Sequence, residues 1–378
     1  MTIIVQRGAE TAITRARVVD LEFPVTNDNS FMIYQTSSSD TSTTNVELHQ
    51  FTGQISGEKQ IRFNKISATA TGTVSYYVVS CDANEFIAKQ YPDSGTTGHL
   101  LTSGSASTTV DTGRYWDPER TMVIGYARPS STLSSAYNAT ACVTFELDTD
   151  NRNVLIQRNN TTSSVTMYCV FYVIQWHPDT GVKVHTGEHN ISGNIASKTA
   201  YATNITDGLA SLDRSWLFVQ FRHNTNGLER ISIAATLDDT SNIHYQRYNT
   251  TTSFNSDARW YILEFPENSG VQCYHEEDTG GTVSTTVSVA MNNVDVNTYQ
   301  KGDGFIVNHT NSCQGNGNAV ARNRYYHSAV NISTFGGRSF YNSLTLTRGY
   351  AGQPTEVATE IIYFTQYNYS NDFISFVA

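Results

Sequence analysis

The chain has 378 residues, a net charge of −10 and only 15% charged side chains, against about 25% in ordinary soluble domains. Thr, Ser and Asn together supply 117 residues, and aromatics are plentiful, with 22 Tyr and 17 Phe. This composition excludes a disordered chain, a coiled coil and a helical bundle. The scarcity of Lys and Arg, 24 in all with no basic run, removes the counterion-release term behind nucleic-acid binding.

Taken in chain order, the elements read as β and repeat. The first copy is loose: Ser30-Phe-Met-Ile-Tyr34 opens it, then Ile61-Arg-Phe-Asn-Lys65, then Ser75-Tyr-Tyr-Val-Val-Ser-Cys81. The second is clear, with Arg120-Thr-Met-Val-Ile-Gly-Tyr-Ala-Arg128, Val154-Leu-Ile-Gln-Arg158 and Val170-Phe-Tyr-Val-Ile-Gln-Trp176. The third matches it with Arg214-Ser-Trp-Leu-Phe-Val-Gln-Phe-Arg222, Ile243-His-Tyr-Gln-Arg247 and Arg259-Trp-Tyr-Ile-Leu-Glu-Phe265. The last has a weak opening at Arg324-Tyr-Tyr-His327, then Leu344-Thr-Leu-Thr-Arg348 and Glu360-Ile-Ile-Tyr-Phe-Thr-Gln366. The anchors Lys65, Arg158, Arg247 and Arg348 recur at about the length of a β-sandwich domain.

Within a copy the Arg strand alternates polar and apolar, as a half-buried strand does. The run that follows is continuously aliphatic and aromatic, which predicts a central strand covered on both faces. Turn chemistry lies between them at Asn159–Ser164 and Tyr248–Ser253. Asp179-Thr-Gly181 and Asn268-Ser-Gly270 read as hairpin turns into short strands at Gly181-Val-Lys-Val-His185 and Gly270-Val-Gln-Cys-Tyr274. The stretches 94–107 and 278–281 read as connectors between copies. The expected fold is all-β, built of tandem antiparallel β-sandwich-like repeats over 1–110, 111–200, 201–290 and 291–378, the outer two degenerate.

Catalytic signals are weighed residue by residue. His185-Thr-Gly-Glu188-His189 has the letters of a zinc-hydrolase pattern, but that chemistry needs a helix to bring both His to one face; here Gly187 sits inside the pattern after a hairpin strand, and the segment reads as an exposed turn at a polar strand end. Leu147-Asp148-Thr-Asp150-Asn-Arg152-Asn153 lacks the Gly and distal Glu of a calcium loop and reads as a β-turn. No nucleophile elbow, phosphate loop or dinucleotide fingerprint occurs. The expectation is no enzyme, no cofactor and no metal. The five cysteines, Cys81, Cys142, Cys169, Cys273 and Cys313, form no CxxC and read as structural thiols. Nine N-x-S/T sequons match chance for this composition.

Arg158, Arg247 and Arg348, with Tyr172 and Tyr261, are the structural anchors of the repeat, each Arg expected to lie on a sheet face against a neighbouring aromatic ring. Trp176, Trp216 and Trp260 sit inside apolar strands and read as core. Trp116, beside Tyr115 in a loop flanked by Gly and Pro, is the surface candidate for a glycan contact.

Arg214-Ser-Trp-Leu-Phe, Gln246-Arg247, Trp260-Tyr-Ile-Leu-Glu-Phe265 and Gly270-Val-Gln-Cys resemble repeats in virion structural proteins of tailed bacteriophages, clearest over 118–190 and 212–275. The resemblance implies a non-enzymatic virion component, a capsid decoration or tail-fibre-like appendage subunit. It implies a homo-oligomer meeting other virion proteins on the virion surface, made in a host cytoplasm. A carbohydrate-binding adhesin, with a host-surface glycan as partner, is the alternative. No apolar run reaches the length that crosses a bilayer, and no leader is visible over Met1–Gly8, so neither membrane nor nucleic acid is an expected partner.

Overall fold

The structure, a computed structural model, describes residues 3–38, 50–66, 71–81, 85–93, 98–131, 133, 141–161, 165–193, 199–224, 233–247, 254–282, 286–296, 305–313, 325–335, 338–348 and 355–364. They form an all-β fold of four units on one plan, with two small antiparallel sheets in each. The first unit runs β1 (Ile3–Ile13), β2 (Ala16–Asp20), β3 (Ser30–Ser38), β4 (Thr52–Gly57), β5 (Gln60–Asn64) and β6 (Gly72–Cys81). Its sheets are ordered β1-β6-β3 and β2-β5-β4.

The second unit runs β7 (Phe86–Tyr91) with β8 (His99–Leu101), then β9 (Ser107–Asp111), β10 (Thr121–Pro129), β11 (Thr144–Leu147), β12 (Asn153–Gln157) and β13 (Met167–Trp176). The third comprises β14 (Lys183–Gly193), β15 (Thr199–Asn204), β16 (Ser215–His223), β17 (Ala234–Leu237), β18 (Asn242–Arg247) and β19 (Phe254–Glu264). The fourth comprises β20 (Val271–Thr282), β21 (Thr286–Val296), β22 (Phe305–Cys313), β23 (Tyr325–Phe335), β24 (Arg338–Arg348) and β25 (Thr355–Phe364). In every unit the last strand is central in one sheet, between the first and third, and the fifth is central in the other.

The sequence expectation for these two strands holds. The last strands are the apolar runs: β13 is buried at nearly every position and β25 at all of them. The fifth strands are the Arg strands, and β12 alternates buried with half-buried residues. Asp148 makes the turn before β12 by accepting from the backbone N–H and side chain of Asn153, while Asn151 takes a left-handed φ of 55°. The two sheets of a unit face each other through aromatic contacts, such as Tyr34 on Phe63 and Phe145 on Phe171.

Unit boundaries differ from the expectation. Strand pairing groups residues 3–81, 86–176, 183–264 and 271–364, so cuts near 110, 200 and 290 pass through sheets. The cause is the strand at Val182–His185. Pro178–Thr180 and Gly181 turn the chain, but both edges of β13 are already taken by β10 and by β7 with β8, so no hairpin forms. The strand instead opens the next unit as β14 and pairs with β19, Lys183 opposite Glu264. Val271–Tyr274 likewise starts β20, paired with β25.

The proposed connectors are therefore inside units: β8 lies within 94–107 and β9 begins at its end, and 278–281 falls within β20. Of the weak opening, Tyr325–His327 falls in the fourth strand of its unit, β23, and not in the third, which is β22; Arg324 lies outside the described residues. The turn residues Tyr248–Ser253, and 162–164 of the earlier turn, lie outside the described residues.

Candidate functional site

The four units close into a ring, and among the described residues buried polar side chains tie neighbouring units across each seam. The third strand of each unit is a sheet edge, so alternate backbone N–H and C=O groups point away from its own sheet and need partners. The sixth residue of the next unit's third strand is tied to the preceding unit. Tyr126 of β10 accepts from the Tyr34 N–H (3.0 Å) and stacks on its ring, centroids 3.8 Å apart. Gln220 of β16 donates to the carbonyls of Val123 (3.0 Å) and Phe145 (3.4 Å). Thr310 of β22 accepts from the Ala235 N–H and donates to its carbonyl. Gln35 of β3 donates to the Val307 carbonyl at 2.8 Å, which joins the first unit to the last. Arg7 over the Phe305 ring, at 4.1 Å, covers the same closure. Val123 and Val307 are both third residues of their strands, so the ring repeats the contact at equivalent positions.

Other seam positions also recur. Arg128 and Arg222 are the eighth residues of β10 and β16, and each reaches the first residue of the preceding fourth strand, Thr52 at 3.1 Å and Thr144 at 3.0 Å. Arg222 has further acceptors: Gln157 at 2.5 Å, Glu188 at 2.7 Å, Asn159 at 2.9 Å and Asp257 at 3.2 Å. Arg259 pairs with Glu146 across the same seam at 2.6 Å. Between the third and fourth units Glu360 takes the central place, accepting from Thr236, the N–H groups of Leu237 and Leu217, and His275.

The anchor residues fall on this frame in different ways. The Tyr172 hydroxyl donates to Gln90 of its own unit (3.0 Å) and reaches the Gly53 carbonyl of the preceding one (3.4 Å). Tyr261 donates to the Phe145 carbonyl at 3.0 Å, and burial pushes its phenol up to about 12. Arg158 does not lie on a sheet face against a ring. It is 1% exposed and donates to the carbonyls of Thr102, Ser105 and Val165, stitching the loop before β9 to the one before β13. Only its guanidinium fork can satisfy three carbonyls at once in so small a space. Arg247 ends β18 and Arg348 ends β24; their side chains lie outside the described residues.

Trp116 is not a surface platform. It is fully buried; its indole N–H donates to Thr112, its backbone N–H to Asn151, and the guanidinium of Arg114 covers its ring at 4.4 Å. The loop folds back over the second unit, which the flanking Gly and Pro do not reveal. Tyr115 alone is exposed, at 55%. Trp176, Trp216 and Trp260 are buried, as read.

The letters of the zinc-like pattern lie along β14, paired with β19 and not in an exposed turn, because the strand runs on to Gly193. His185 bonds Glu264 at 2.7 Å, Glu188 pairs with Arg222, and His189 stacks on Tyr245. Gly187 is there because a Cβ would stand 2.4 Å from the Trp260 ring. Among the described residues no group of three or more His, Cys, Asp or Glu is placed to hold a metal ion. Cys81, Cys169 and Cys273 are buried free thiols, Cys142 is half-buried, and the Cys313 side chain is outside the described residues. Burial pushes the Cys169 thiol up to about 12.

Two open clefts flank the loop at 25–29. One is lined by Thr26, Asp28, Asn29, Lys89 and Arg114, and the other by Gln54, Glu58, Arg62 and Asp93. In the seams, by contrast, the carboxylates are engaged. Both oxygens of Asp257 accept, from Asn190 on one side and from Asn159 and Arg222 on the other. Such groups hold surfaces together; a general acid or base needs a proton exchangeable with a substrate in an open cleft.

Sequence reasoning missed Gln35, Tyr126, Gln220 and Thr310. Their identities differ, so letter matching passes over them; what they share is strand position and a side chain that can hydrogen-bond. The fold is thus an all-β ring of four sandwich-like units, with buried polar side chains tying the seams. No protein-family model matches the chain, and no curated protein matches it in sequence.

Proposed function

We propose that this protein is a non-enzymatic structural subunit of a virion, a head decoration or tail-appendage component that assembles with copies of itself and with other virion proteins. The observation that carries the reading is the ring closure by equivalent strand positions, Gln35 on Val307 repeating Gln220 on Val123. A closed ring of units tied through buried hydrogen bonds resists separation of any one unit, because each is held on two sides. That property suits a part whose work is mechanical. The hydroxyl- and Asn-rich composition suits a surface that meets water, and the resemblance of the repeats supplies the setting. Released particles would carry the protein on their surface after synthesis in a host cytoplasm. Immunogold electron microscopy of purified particles should label a regular position on head or tail; a soluble protein absent from particles would overturn the reading.

A second reading, a carbohydrate-binding adhesin, draws on one place. Tyr115 is exposed and follows Arg114, which lines the cleft with Asn29, Asp28 and Lys89. An exposed ring beside hydrogen-bonding side chains is the chemistry a sugar uses. A glycan array probed with wild type and Tyr115→Ala should show binding that the substitution abolishes; no binding by the wild type rejects this reading.

A further inference from the structure

We propose that a doubly protonated His275 latches the seam between the third and fourth units, so that loss of one imidazole proton loosens it. Nδ1 of His275 lies 2.6 Å from Oε2 of Glu360, and Nε2 lies 3.0 Å from the carbonyl of Leu212, in the turn that precedes β16. A carbonyl has no hydrogen to give, and neither has an ionised carboxylate.

In the latch Glu360 is the acceptor, and three further donors converge on its two oxygens. Its Oε1 accepts from Thr236 (3.0 Å) and from the Leu237 N–H (3.1 Å), and its Oε2 takes the Leu217 N–H at 3.4 Å besides the imidazole. With Glu360 accepting and the Leu212 carbonyl accepting, both ring nitrogens of His275 donate in the latch, and the ring is an imidazolium. The pair is buried, with side chains 8% and 2% exposed. His275 and Glu360 belong to the fourth unit, and Leu212, Leu217, Thr236 and Leu237 to the third, so the two side chains share with Thr310 the polar closure of this seam.

Other ionisable groups nearby do not replace the partner. Glu276 and Cys273 lie on β20 with Tyr274, and the 212–214 turn brings Asp213 and Arg214. On β25, Glu356 shares the face of Glu360 two same-face positions back, beyond Ala358, and Tyr363 points to the other face. β17 brings none, Arg222 and His223 of β16 are engaged by Asp257 and Ser256 at its far end, and β21 carries Asp295 towards its far end. Burial by itself pulls the imidazole down. The charge and hydrogen bond of Glu360, with the Leu212 carbonyl, outweigh it and hold the pKa above the ordinary histidine value. The latch is therefore complete below the unfolded histidine pKa, about 6.5, and is lost as pH rises through the raised folded value.

The test is a titration of the full chain. Nitrogen NMR of the histidine side chains, with the His275 signals assigned by their loss in His275→Gln, should show both ring nitrogens protonated at neutral pH. The midpoint should lie above 6.5. Hydrogen exchange at the Leu217 and Leu237 amides, corrected for intrinsic base catalysis, should quicken about tenfold across that titration in the wild type and stay flat in His275→Gln. A His275 that is neutral at pH 6, or amide protection that ignores its titration, overturns the proposal. If His275→Gln does not fold, Glu360→Gln serves instead: the His275 midpoint should fall to the ordinary value or below, and an unchanged midpoint sinks the idea.

Discussion

The seam between the first and second units and the seam between the second and third use the same strand positions and opposite chemistry. At the first, Tyr126 stacks on Tyr34, Arg128 lies over the Tyr168 ring, and Gln54 and Val170 occupy two buried positions. At the second, the corresponding residues are Gln220, Arg222, Glu146 and Arg259, and the seam is a network of two guanidinium groups and three carboxylates, Glu146, Glu188 and Asp257. Topology decides where neighbouring units touch, because the exposed edge of the third strand must be covered in each case. The side chains that cover it are free to differ. The difference gives order to the ring, since a unit bearing Arg259 seated against Gln54 would leave a buried cation without its carboxylate.

The largest effect should come from breaking the charged seam. Arg222→Ala strands Asp257, which is 13% exposed, and removes partners from Thr144 and Gln157; a loss of about 3 kcal/mol is expected in chemical denaturation. Arg222→Lys should recover only part of it, because an ammonium cannot reproduce the fork. The aromatic seam should be more forgiving. Tyr126→Phe keeps the stacked ring and removes only the acceptor of the Tyr34 N–H, a cost of about 1 kcal/mol. A loss as large as that of Arg222→Ala would erase the contrast between the seams.

Alkaline pH sharpens the comparison further. Burial raises the Tyr261 phenol from its ordinary 10 to about 12, so its contribution is complete below about 10 and fades as pH rises through about 12. Wild type should lose stability relative to Tyr261→Phe across that interval, as read from unfolding midpoints. The smallest expected effect is coupling: Arg222→Ala and Tyr126→Phe lie in different seams, and their costs should add within about 0.5 kcal/mol in a double-mutant cycle. A larger interaction energy would mean that the ring transmits strain from one seam to the next.

Much of each unit was legible along the chain. Val170–Trp176 and Trp260–Phe265 announce central strands by their continuous apolar content, and Val154–Gln157 announces a half-buried one by alternation. The Gly181 turn was misleading for a stated reason: a short turn between two apolar segments favours a hairpin, yet β13 had no free edge to offer. Trp116 misled because a polar loop sequence does not say which way it folds. Of the seam residues, Tyr172 and Tyr261 stood out as repeated letters, whereas Gln35, Tyr126, Gln220 and Thr310 differ in identity and became equivalent only once β3, β10, β16 and β22 were aligned by their pairing.

The sequence by itself determined the all-β class, the fourfold repetition, and the apolar central strand of one sheet in each unit. Those properties follow from local chemistry: side-chain period, β-branching, and turn residues that act over a few positions. Only the tertiary structure decided where each unit begins, that the last unit returns to the first, and which side chains tie one edge strand to the next. Those outcomes depend on which edges remain unpaired after distant strands meet. The 117 Thr, Ser and Asn residues do not report that, and the pairing of β14 with β19 and of β20 with β25 does.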